Sequence, residues 1–111
     1  MHDFRQLDVW EESVLVAEAV YRLTSEFPNE ERFGLTTQTR RAAVSVSSNI
    51  AEGAGRGRSK EMAQFLRIAL GSLSELETQI EIACRLGYLS SDQVSELALG
   101  ALRRRVFKLH D

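Results

Sequence analysis

At 111 residues, 43% hydrophobic and 27% charged, the chain has room for one small domain with a real core and not for two. A net charge of −2 at pH 7 excludes a strongly basic nucleic-acid binder, so any such activity must come from local clusters among its 14 Lys and Arg residues. The single cysteine, Cys84, excludes an internal disulfide and fits a reducing compartment. Neither a signal-peptide pattern nor 18 continuous apolar residues occurs, so a cytoplasmic protein with no membrane partner is expected.

Asp8 and Glu11 have capping-box spacing, and a first helix is expected from there to about Glu26. Trp10, Val14, Ala17, Tyr21 and Thr24 form one helical row; Val16, Val20, Leu23 and Phe27 form a second. Pro28 closes the element. A single turn is expected over Asn29 to Phe33, and Thr36 is the predicted cap of a central helix that ends at Gly53. Glycines at 53, 55 and 57 interleave with Arg56 and Arg58, and Ser59 caps a third helix. GAGRGRSK lacks the spacing and the preceding strand of a phosphate-binding loop. In the third helix Met62, Leu66, Ala69, Leu73, Leu76, Ile80 and Ala83 alternate four and three residues, a heptad seam that Phe65, Ile68 and Cys84 broaden. Gly87 stops that helix in the left-handed conformation. Ser90 and Gln93 form a capping box for a last helix through Leu109, with Gly100 inside it. No segment alternates like a strand. Short connections between four amphipathic helices predict an all-α, antiparallel up-down-up-down four-helix bundle, a single domain over residues 1–111.

The central helix carries more polar chemistry than its packing requires. Gln38, Arg41, Ser45, Asn49 and Glu52 step by three, four, four and three residues and share one quadrant, beside a thin apolar stripe that ends at Gly53. Ser72, Glu75 and Gln79 sit on the flank of the third helix's seam, where Gly71 is read as opening room for close approach. The expectation is an interhelical polar lock, with Arg41 held by Glu75, by Glu52, or by both.

Catalysis finds little support. His2 and His110 lie at the chain ends, Ser45, Ser47 and Ser48 have no nearby histidine, and one cysteine builds no zinc site. No catalytic residue, metal or cofactor is expected. Two basic groups stand out: Arg56, Arg58 and Lys60 around the glycine loop, and Arg103, Arg104, Arg105 and Lys108 near the C-terminus. Arginine beside glycine suits phosphate contact, and scarce aromatics favour shape- and charge-based recognition of structured RNA over base readout.

FRQLDVW from Phe4, FPNEERFGLTTQTRRAAVSVSSNIAEG and FLRIALGSLSELETQIEIACRLGYL together resemble the small four-helix-bundle proteins encoded in bacterial 23S rRNA intervening sequences. The resemblance runs from Phe4 to about Leu89. That family looks to include the accessory protein of diversity-generating retroelements, a homopentameric barrel that binds a reverse transcriptase and nucleic acid through a basic surface. The resemblance therefore implies a homo-oligomer, a pentamer, and an accessory role on structured RNA or a reverse transcriptase–nucleic acid complex. By position the family motif falls on Gln38, Arg41, Ala42, Ser45, Asn49 and Ile50 through Gly53, and on Ala69, Gly71, Ser72, Leu73, Glu75 and Glu77. Thr39 and Ser47 depart from it. The leading expectation is a non-enzymatic RNA- or nucleoprotein-binding scaffold; the alternative is a protein–protein adaptor, with a small-molecule or metal-dependent enzyme as a third class.

Overall fold

The computed structural model describes residues 3–57 and 59–109. A 3₁₀ turn (Phe4–Gln6) leads into α1 (Asp8–Thr24), a second 3₁₀ turn (Asn29–Glu31) leads into α2 (Leu35–Ala54), and α3 (Lys60–Arg85), α4 (Ser91–Glu96) and α5 (Leu99–Leu109) follow. The chain is all-α. α1 packs on α2, α2 on α3, α3 on α5, and α5 closes the ring on α1, which makes an antiparallel four-helix bundle 43 Å long whose fourth member is the broken pair α4–α5.

The seam of α3 is the spine. Met62, Leu66, Ala69, Leu73, Leu76, Ile80 and Ala83 are all buried, four of them with no exposed surface. Ser59 caps α3 by accepting from the Met62 amide at 3.1 Å, and Gly87 lies beyond its end with φ +83°. Val16 and Val20 of α1, and Phe27 just beyond its end, enter the core, whereas Tyr21 is exposed on the flank and Trp10 is half-buried, edge-on to Phe4. Ile68 does not broaden the α3 seam as expected; it is 45% exposed.

The helix starts correct two expectations. Asp8 is the first helical residue of α1 and Leu7 the cap, with no side-chain bond. At α2, Gly34 occupies the cap position and Thr36 is buried inside the helix. Glu31 substitutes for the missing cap: its Oε1 accepts from the Leu35 amide at 3.2 Å, and its Oε2 accepts from the Tyr88 hydroxyl at 3.1 Å. One carboxylate thus satisfies an orphan amide of α2 and ties the α1–α2 connection to the segment after α3.

The spacing predicts a last helix unbroken from the Ser90–Gln93 capping box to Leu109. The box forms, with both reciprocal bonds, but α4 stops at Glu96 and Ala98 takes φ +50° before α5 begins. Leu97 and Leu99 are both buried. Two residues apart on a continuous helix they would stand roughly 200° apart, so only a break points both inward. An L-residue in the left-handed region costs about 1–2 kcal/mol, and Gly100, two positions later, cannot relieve it. Ala98→Gly is expected to raise stability by about 0.5–1 kcal/mol, part of the relief being offset by glycine's extra freedom in the unfolded chain. A thermal melt checks this; an unchanged or lower midpoint refutes strain at Ala98.

Candidate nucleic-acid interface

The two basic groups differ in how free their charges are. At the α2–α3 turn, Arg56 is held by Glu52 at 3.1 Å and Glu61 at 3.8 Å and lies over the Phe65 ring. Lys60, the first residue of α3, is exposed; Arg58 lies outside the described residues. On α5, Arg103 grips Glu77 of α3 through Nε at 3.0 Å and through Nη2, and reaches Ser74 Oγ at 3.0 Å. Arg105 donates to Glu12 of α1 at 2.6 Å. These two arginines fasten α5 to its neighbours, each half exposed or less, so their charge is partly spent on the bundle.

Arg104 and Lys108 are different. Four residues apart on α5, they point to solvent and pair with no carboxylate among the described residues. Between them Phe107 is 64% exposed. Leu102, Val106 and Leu109 already supply the inward face of α5, so Phe107 stands off that stripe and shares the outer face with the two cations. Phe107 was missed in the sequence, where scarce aromatics argued against stacking; its place beside the apolar period, between two cations at helical spacing, was the available signal.

The polar row divides at its middle. Ser45 and Ser72 share a hydrogen bond of 2.7 Å across α2 and α3, and Asn49 Nδ2 donates to the Ser45 carbonyl at 2.8 Å and to its hydroxyl at 3.1 Å. Ser72 is 6% exposed, Ser45 and Asn49 half-buried. Gln38, Arg41, Glu52 and Glu75 are exposed. The expected bond from Arg41 to Glu75 or Glu52 does not form: Glu52 turns to Arg56, and Arg41 makes no ion pair among the described residues. Arg41 stands roughly 80° around α2 from Asn49, beyond the line where the helices touch. Gln79 is half-buried, and its Oε1 is buried without a hydrogen-bond partner.

Among the described residues no three His, Cys, Asp or Glu side chains gather as a metal site would require, and no helix is long and apolar enough to cross a membrane. His2 and His110 lie outside the described residues.

The fold matches a crystal structure of a protein with unknown function from the S23 ribosomal protein family of Bacteroides thetaiotaomicron, with a TM-score of 0.83 over 93% of this chain and 98% of that chain. At 22% identity the likeness shows the fold. No curated protein matches the chain significantly. The family model for the 23S rRNA-intervening sequence protein matches residues 5–103. The chain, with its four-helix bundle and the residues of both central helices inside that match, belongs to the 23S rRNA-intervening sequence protein family.

Proposed function

We propose that this protein is a non-enzymatic, self-associating scaffold that binds structured RNA, free or within a nucleoprotein. The observation that carries the reading is the outer face of α5, where exposed Phe107 stands with Arg104 and Lys108, which pair with no carboxylate among the described residues. Cations contact phosphates without regard to sequence, and an exposed ring stacks on an unpaired base of a loop or bulge. Exposed Lys60 adds charge at the α2–α3 turn. Self-association is supported by the outer face of α3, where Ile68, Ile82 and Leu86 are each 44–55% exposed and Glu75 lies one heptad from both isoleucines. A pentamer is the assembly that the family resemblance implies.

Titration of a labelled RNA hairpin at several salt concentrations tests the binding. The logarithm of affinity should fall linearly with the logarithm of salt, and Arg104→Ala or Lys108→Ala should each flatten the slope by about 0.7–0.9. Phe107→Ala should weaken binding by about 1–3 kcal/mol with the slope unchanged. No binding at low salt rejects the reading in favour of a protein–protein adaptor, and a monomeric mass in light scattering removes the oligomer.

A further inference from the structure

Among the described residues six arginines, Arg5, Arg22, Arg56, Arg85, Arg103 and Arg105, pair with carboxylates. Arg40 is half-buried, yet its partners are neutral: Nε donates to Thr24 Oγ1 at 2.8 Å, Nη2 donates to the Tyr21 carbonyl at 3.2 Å, and the guanidinium lies 4.6 Å from the Tyr21 ring centre. It forms one wall of an open groove of about 520 Å³ between α1 and α2. Arg41 forms the other, with Tyr21, Thr37, Val44 and Ser45 completing the lining and no carboxylate among them. Removing a cation from part of its water without a counter-charge is costly, whereas a guanidinium already fixed by neutral acceptors loses little freedom on meeting an anion.

Two of the three hydroxyls in the groove are engaged. Thr37 donates to the Arg32 carbonyl at 2.6 Å, and Ser45 is taken up by Ser72 and Asn49. The free polar capacity is therefore guanidinium N–H together with the Tyr21 hydroxyl, donors both, and the matching ligand is an acceptor with negative charge. The remaining surface is apolar: Val44 is 42% exposed and Tyr21 45%. An RNA backbone brings nothing to cover Val44, and the Tyr21 face that a base would use is partly taken by Arg40. Arginine and tyrosine around an aliphatic floor is the composition of a protein interface core.

We infer that the α1–α2 groove docks an acidic segment of a partner protein, with carboxylates on Arg40 and Arg41 and an aliphatic side chain over Val44. This does not rest on the RNA reading, which uses α5.

The probe is a labelled peptide of glutamates and leucines, followed by fluorescence anisotropy at low salt. Arg41→Gln should weaken binding about tenfold with the melting midpoint unchanged, Arg40→Gln more, and the glutamine counterpart of the peptide should not bind. Val44→Ser should weaken the leucine-containing peptide and spare a leucine-free one. Arg104→Ala and Lys108→Ala should leave the peptide's affinity unchanged, which separates failure here from failure of the RNA reading. The inference is overturned if the peptide does not bind, if Arg41→Gln has no effect, or if the RNA hairpin displaces the peptide, which would make the groove a nucleic-acid surface.

Discussion

Leu73→Ala is expected to lower stability by about 2–5 kcal/mol, read as an earlier urea midpoint with an unchanged denaturant slope. Leu73 has 0% exposure near the middle of α3, the helix that packs on both α2 and α5. Its neighbour Ser72 is tied to Ser45 on α2, so α3 cannot slide toward the cavity without stretching that 2.7 Å bond. Limited collapse places the cost in the upper part of the range for such truncations. A domain of this size has about 5–15 kcal/mol in total, so the variant should be marginal at 37 °C. A loss below about 1 kcal/mol would show that the centre of α3 repacks freely and is not the spine of the bundle.

Most of the fold was legible because its signals are local and periodic. The heptad seam of α3, the Ser59 cap, the left-handed Gly87 and the Ser90–Gln93 box depend on residues within one or two turns, and each appears where its spacing placed it. The break at Ala98 was hidden because Val94, Leu97, Ala101 and Leu102 keep helical period across it. Only the joint burial of Leu97 and Leu99, a tertiary fact, forces the left-handed turn. The candidate interface was less legible for a similar reason. A run such as Arg103, Arg104 and Arg105 looks uniform in sequence, but consecutive residues stand roughly 100° apart on a helix. Arg103 and Arg105 therefore turn to Glu77 and Glu12 on opposite neighbours while Arg104 faces solvent. Likewise, adjacent Arg40 and Arg41 take opposite walls of a groove that exists only once α1 lies against α2.

Gly53 and Gly71 are expected to respond with opposite sign to substitution. Both lie inside helices and both match the family motif, and the sequence pattern suggests Gly71 as the one that opens room for close approach. The structure assigns that role to Gly53. A Cβ built there meets Phe65 Cβ at 3.3 Å, the Met62 carbonyl oxygen at 3.4 Å and Leu66 Cδ2 at 3.6 Å, so the α2 backbone rests directly on the first turns of α3. At Gly71 nothing lies within 4 Å. Gly53→Leu has to push its branched side chain against a backbone carbonyl that cannot rotate away, and should cost about 1–3 kcal/mol by overpacking, or more if α2 and α3 separate. Gly71→Ala adds a methyl in open space and removes unfolded-state freedom, and should stabilise by about 0.5–1 kcal/mol. Thermal and urea unfolding of the two variants checks both. If the protein self-associates as proposed and light scattering shows that the assembly dissociates in Gly71→Ala while its helices stay folded, the room at Gly71 serves contact between copies, on the face where Ile68, Glu75 and Ile82 are exposed. An unchanged mass in light scattering with raised stability leaves Gly53 alone as the motif glycine required by helix packing within the bundle.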